Sequence, residues 1–142
     1  MNENQQSQIL EKPKIKENKI SYDDFAKVEI KAGTILSAEK IPETDKLLKL
    51  SVYFGETEEV KNIEEDKTTL VSKPRQIVSG ISMYFPDPKV LIGKTCMFVT
   101  NLEPRMIKGY ESNGMLFAIF TDDGKFSLLE PNSTIPAGTK AK

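Results

Sequence analysis

Between Lys94 and Phe120 the chain reads K-T-C-M-F-V-T, then N-L-E-P-R-M-I-K-G-Y-E-S-N-G, then M-L-F-A-I-F. The flanking apolar runs are too short, and too rich in β-branched and aromatic residues, to stand as helices of their own. Their unbroken apolarity predicts strands buried on both faces. The polar stretch between them, with Pro104, Arg105, Lys108, Gly109, Ser112 and Gly114, is predicted to be a loop held by two strands, a usual place for binding residues.

The same grammar recurs along the chain. Ser21 followed by Asp24 predicts a capped helical turn over I-S-Y-D-D-F-A. From Val28 apolar and polar residues alternate to Ile41, with Gly33 in the middle as a predicted bulge or sharp coil. In K-L-L-K-L-S-V-Y-F, Leu48, Leu50, Val52 and Phe54 share one face while Lys49, Ser51 and Tyr53 share the other, which predicts a half-exposed strand. Glu56 to Lys73 is a polar, acidic insertion in which only partial strand pairing is expected, through T-T-L-V. R-Q-I-V-S-G-I resumes regular structure, and P-D-P-K-V-L-I-G predicts a short helical turn. Asp123-Gly124 signals a tight type I′ hairpin between Phe120 and Phe126, and the turn-rich C-terminus is expected to finish in a short extended piece. About five principal strands with short connections and no amphipathic helix of three turns indicate an all-β chain. A five-stranded Greek-key barrel of the oligonucleotide/oligosaccharide-binding type (OB-fold), with a short helix after strand 3, accounts for the pattern best.

With 142 residues, one domain is expected, here residues 20–142, preceded by a flexible tail or linker over 1–19. That first segment is rich in Asn, Gln, Glu and Lys and cannot bury enough surface to offset its ordering entropy. No apolar run approaches the roughly 20 residues of a membrane-spanning helix and no signal peptide is visible, so the expected compartment is cytoplasmic. The chain has no histidine and one cysteine. Zinc sites, Ser/His/Asp triads and Cys/His dyads cannot be built from it. Cys96 lies in an apolar run and is expected to be a buried, inert thiol. Binding therefore precedes catalysis as an expectation, with no metal and no cofactor. Net charge is −1, but Glu56 to Lys67 carries six acidic residues against two lysines; the remainder has 18 basic and 15 acidic residues. A modestly positive surface is left, weaker than that of a strong nucleic-acid binder.

Four ordered motifs go further. D-F-A-K-V-E-I-K-A-G-T-I at Asp24 to Ile35, D-K-L-L-K-L-S-V at Asp45 to Val52, R-Q-I-V-S-G-I at Arg75 to Ile81, and N-L-E-P to E-S-N-G-M-L at Asn101 to Leu116 closely resemble the tRNA-binding domain family. That family includes free-standing tRNA-binding proteins, the C-terminal appendage of many methionyl-tRNA synthetases, and the endothelial monocyte-activating polypeptide. The resemblance runs from about Ile20 to Lys140, interrupted by the acidic insertion, and the terminal I-P-A-G-T-K adds to it. It implies non-catalytic, largely sequence-independent recognition of tRNA. It also implies a homodimer formed through the segment C-terminal to the barrel, roughly Phe120 to Lys142, and a covalent or associated synthetase catalytic domain as partner.

Phosphate recognition needs cations on a preorganised surface, with hydrogen-bonding groups for sugars and phosphates. The candidates are Lys31, Lys46, Lys49, Arg75, Arg105 and Lys108, with Ser79, Asn101 and Ser112 as polar contacts and Met115 from the E-S-N-G-M match. Gly109 and Gly114 are expected to let backbone approach the ligand. Tyr84 and Tyr110 fit packing better than base stacking. Where relatives commonly show a basic N-L-K-P-x-K-x-R-G loop, this chain has Glu103, Met106 and Lys108 at the three cationic positions, with Arg105 adding a charge. Each lost phosphate contact removes counterion release, so weak, salt-sensitive binding is expected. Two other readings compete: a peptide-binding dimer like the secretion chaperones of this fold, and a protein-interaction scaffold whose acidic hairpin docks a basic partner.

Overall fold

The computed structural model describes residues 18–142; most of the expected tail or linker, residues 1–17, lies outside the described residues. A one-turn helix, α1 (Tyr22–Ala26), opens the described chain. Its start is fixed as the sequence predicts, with Ser21 Oγ accepting from the Asp24 amide at 3.0 Å.

Five strands make the barrel. β1 (Ile30–Lys40), β2 (Leu48–Tyr53), β5 (Arg75–Ser79), β6 (Thr95–Val99) and β9 (Met115–Leu116) form one antiparallel sheet in the order β5-β2-β1-β6-β9. The predicted alternation in β2 is observed, with Leu48, Leu50 and Val52 buried and Lys49, Ser51 and Tyr53 half-buried on the other face. The core holds Ile35, Leu48, Leu50, Val52, Ile77, Leu91, Cys96 and Phe98, with Phe54 edge-on to Phe98 at 5.1 Å. Burial of Cys96 is complete and pushes its thiol pKa up to about 11, so it carries no thiolate at neutral pH.

Gly33 does not mark the bulge; the register of β1 against β2 slips two residues later, between Ile35 and Ser37. Gly33 is needed because a Cβ there would strike the ring of Phe54 and come within 2.7 Å of Val52 Cγ1. β1 outruns β2 at its start, and the C-terminal residues take the vacant edge. Ala141 N donates to Ile30 O at 2.8 Å and Gly138 N to Ala32 O at 2.7 Å. The expected terminal extended piece is thus a strap on β1.

After β5 the expected helix is two 3-10 turns, Ser82–Tyr84 and Pro88–Leu91. Asp87 caps the second, its Oδ1 accepting from Lys89 N at 3.1 Å, and Leu91 is fully buried.

The acidic insertion is more ordered than partial pairing through T-T-L-V implied. β3 (Thr57–Asn62) and β4 (Lys67–Ser72) pair along all six positions, and all their side chains are exposed. The hairpin continues the β2–β5 ribbon past a break at Gly55, whose φ is +78°. Six residues at about 3.3 Å each carry it roughly 20 Å outward. Beyond the barrel, β10 (Ala118–Phe120) pairs with β11 (Phe126–Leu128) as anticipated, Phe120 facing Phe126. Their turn is not type I′: within it only Gly124 has positive φ, and Thr121 N donates to Lys125 O at 2.9 Å, closing a three-residue loop. Among the described residues no helix is long and apolar enough to cross a membrane.

Candidate nucleic-acid interface

In barrels of this architecture, oligonucleotides lie on the face of the second and third strands, flanked by the loops between strands 1 and 2 and between strands 4 and 5. Here those strands are β2 and β5. The first loop, residues 41–47, presents Lys46 in the open. The second, residues 100–114, folds into its own hairpin of β7 (Arg105–Ile107) and β8 (Tyr110–Ser112). Its turn has Lys108 at φ +50° and Gly109 at φ +84°. Positive φ at both central residues is the type I′ geometry, so a two-residue turn of this kind sits at Lys108-Gly109. Gly109 serves the turn, with nothing near its Cβ position. Gly114 serves packing, since a Cβ would lie 2.9 Å from Ile77 Cδ1 and its φ is +139°.

Side-chain and main-chain bonds seat this hairpin on β5 and β2. Val78 N donates to Ser112 Oγ at 2.9 Å, Gln76 Nε2 to Glu111 O at 3.0 Å, and Asn113 N to Gln76 O at 2.8 Å. The Lys49 ammonium stands 5.2 Å from the centre of the Tyr110 ring and 3.5 Å from the Glu39 carboxylate. A cation over an aromatic face is held without losing its charge. Arg105, Ser112 and Met115 line one cavity of about 100 Å³ with Val78, Leu102 and Glu103. Half-buried Ser79 borders a second cleft, of about 370 Å³, with Met115 and Phe120.

Of the ten residues named from sequence, Lys46, Lys49, Arg105, Lys108 and Ser112 belong to this face or its loops, while Ser79, paired with buried Leu48, and Met115, on β9, lie beside it on the cleft of about 370 Å³. The hydroxyl of Ser112 is buried and also donates to Gly114 O at 3.2 Å, so its observed work is holding the loop.

The other three gather in a separate polar network. Asn101 Nδ2 donates to Lys27 O at 2.6 Å and its Oδ1 accepts from Glu29 N at 2.7 Å, pinning the segment after α1. Lys31 Nζ lies 3.3 Å from Glu29 Oε1. Arg75 spends its guanidinium within the protein: Nε and Nη2 fork onto the Glu56 carboxylate at 2.7 and 2.8 Å, and Nη1 donates to Thr100 O at 2.6 Å. The Phe54 ring centre lies 5.3 Å away. Thr100 Oγ1 in turn donates to Glu29 Oε1 at 2.7 Å. Hydrogen bonds from Arg75 hold the Glu56 carboxyl below its usual range, and the bond from Thr100 does the same for Glu29.

Glu56, Thr100, Gln76 and Tyr110 were not among the sequence candidates. Glu56 and Arg75 are 19 positions apart across the insertion, and no local pattern couples them. Gln76 and Tyr110 were legible as outward neighbours on the strand and loop already singled out. Tyr84 is a packing residue, stacked on Phe126 at 4.2 Å. Among the described residues no group of three or more Cys, Asp or Glu is placed to hold a metal ion.

The fold is an OB-type barrel with a cation-bearing hairpin seated across its second and third strands. The family described as "Putative tRNA binding domain" matches residues 30–140, and the chain belongs to that family, a non-catalytic RNA-binding module. It is 44% identical over 131 residues to the methionine–tRNA ligase of Methanospirillum hungatei, covering 92% of this chain and 16% of that one. It is 36% identical to the corresponding ligase of Enterococcus faecalis, again covering 16% of it. The chain thus spans about one sixth of the curated relatives it matches. Among solved structures, a MetRS-related protein from Pyrococcus horikoshii superposes with TM-score 0.72 at 36% identity, covering 88% of this chain and 99% of that one. The chaperone CsaA of Bacillus anthracis superposes with TM-score 0.66 at 25% identity, covering 87% and 99%.

Proposed function

We propose that this domain binds tRNA with little sequence selectivity through the β2–β5 face and the β7–β8 hairpin. Lys46, Lys49, Arg105 and Lys108 supply the phosphate contacts. The observation that carries this reading is the seating of the Lys108-Gly109 hairpin on β2 and β5 through Tyr110 and Gln76, which presents its cations from a fixed base. In the unbound domain Arg75, Lys31 and Asn101 are held in the Glu56 and Glu29 network. With four cations and an adjacent acidic hairpin, binding is weak at moderate salt and steeply salt-dependent.

In this reading residues 20–142 are one domain that works in the cytoplasm, either appended through residues 1–19 to a methionine–tRNA ligase catalytic unit or as a free-standing equivalent. It raises tRNA occupancy without altering the chemistry. It acts as a homodimer through the segment after the barrel, which doubles the contacts. Ile119 and Phe120, each more than half exposed on β10, support that interface. The test is a titration of bulk tRNA at two salt concentrations beside light scattering of the free protein. Saturable binding that falls steeply with salt, by a dimeric particle, is expected; no binding at low salt overturns the reading.

A second reading follows from the CsaA likeness together with the apolar cleft of about 370 Å³ beside Met115, Phe117 and Phe120. There the working surface is this cleft and the ligand an unfolded polypeptide. Retention of an unfolded substrate by a protein that ignores tRNA at low salt favours it.

A further inference from the structure

The cleft beside Arg75 is wide, about 490 Å³, and lies where three parts of the chain meet: the base of the β3–β4 hairpin (Glu56, Lys73), β5 (Arg75, Gln76), and the loop carrying the β7–β8 hairpin (Thr100, Glu111, Asn113). Lys73, Gln76 and Asn113 bring donors to it, the donor set that receives a phosphodiester. Its deepest cation, Arg75, has a side chain 16% exposed and meets the carboxylate of Glu56, which is 35% exposed. A bidentate fork at 2.7 and 2.8 Å is the geometry in which guanidinium recognises carboxylate and phosphate alike. Glu56 is also where the acidic hairpin begins, and its carbonyl accepts from Lys73 N at 2.8 Å, where the hairpin ends. The remaining charged groups around the fork are Glu29, reached through Thr100, then Lys31 and Lys140 near Glu29, and Glu111 across the cleft.

Building on the tRNA-binding reading, we propose that Glu56 is a displaceable internal counter-ion. A phosphodiester of the bound RNA exchanges with its carboxylate on Arg75, and the exchange unlatches the β3–β4 hairpin from the edge of the binding face. Arg75 then enters the RNA site only in the complex, at the cost of breaking an existing pair. The unbound domain shields one of its own phosphate contacts.

The test compares tRNA affinity and its salt slope in the full chain, wild type against Glu56→Gln, with Glu111→Gln as a neighbouring acid that does not touch Arg75. Glu56→Gln is expected to bind about three- to sixfold tighter near 0.1 M salt with the slope unchanged, since the Arg75 contact already forms in the wild-type complex, whereas Arg75→Gln is expected to flatten the slope by about 0.7–0.9, the increment of one lost phosphate contact. Glu111→Gln is expected to tighten binding less and leave the slope alone. In an Arg75→Gln background the gain from Glu56→Gln should vanish. A gain equal to that of Glu111→Gln, or one that persists without Arg75, overturns the latch while leaving tRNA binding intact. Absence of wild-type binding overturns both. Should the substituted chains fail to fold, the wild type is read by NMR: the Glu56 carboxyl-carbon and Arg75 Nε resonances are expected to move together on saturation with tRNA, and fixed positions overturn the proposal.

Discussion

Glu56 and Arg75 stand on opposite sides of the β3–β4 hairpin's base and grip one another through two hydrogen bonds, of 2.7 and 2.8 Å. Their pairing ties an exposed two-stranded ribbon, which has no core of its own, to a barrel that does.

Because Arg75 lowers the Glu56 pKa in the folded chain, the unfolded chain binds the proton more readily. The stabilisation is therefore present above the ordinary carboxylate range and is lost as pH falls through the folded pKa. At pH 7 Glu56→Gln is expected to lower stability by about 1 kcal/mol, a charged hydrogen-bond pair discounted for its exposure. The deficit should shrink below about pH 4. Urea unfolding of both chains across that range checks it; a deficit constant with pH refutes the assignment.

Replacing Arg105 and Lys108 together by alanine is expected to weaken tRNA binding and flatten the logarithmic salt dependence by about one unit per lost contact. An unchanged slope removes both from the interface.

Lys108 sits at φ +50°, where an unbranched L-residue is tolerated and glycine is favoured. Lys108→Gly should therefore hold or raise stability, by up to about 1 kcal/mol, while weakening tRNA binding. Thermal melts and binding isotherms moving in opposite directions are the signature; a parallel loss of both refutes it.

Gly33→Ala forces a methyl into the Phe54 ring and Val52. Overpacking of this kind costs about 1–3 kcal/mol, visible as a lowered urea midpoint. Ser112→Ala leaves the buried Val78 amide without its acceptor, which costs about 1–3 kcal/mol. An unaltered midpoint in either variant contradicts the packing described.

The barrel was legible because its signals are local. The alternation of Leu48, Leu50 and Val52 and the cap of Ser21 each occupy a few adjacent positions, and each recurs in the structure. Motif resemblance singled out Lys108 and Arg105 as candidates, and the fold adds that they ride on a hairpin. The failures are non-local. The pairing of Arg75 with Glu56 was invisible because Glu56 reaches it only after 18 intervening residues have folded back. Asp123-Gly124 and Lys108-Gly109 both offer turn residues, but the strand spacing on either side, which short sequence windows do not fix, decides which becomes type I′. Gly33 had a visible anomaly and an invisible reason, since the ring that excludes a side chain there belongs to Phe54.

The interior position of Cys96, closed to solvent and far from its thiolate form at neutral pH, predicts a native chain that maleimides and iodoacetamides leave unlabelled. Any cysteine introduced at the surface becomes the single address for a fluorophore or spin label, with no background substitution to engineer away. Pairs of such labels, on the hairpin tip and on the barrel rim, turn the movement of one against the other into a distance that can be followed in real time.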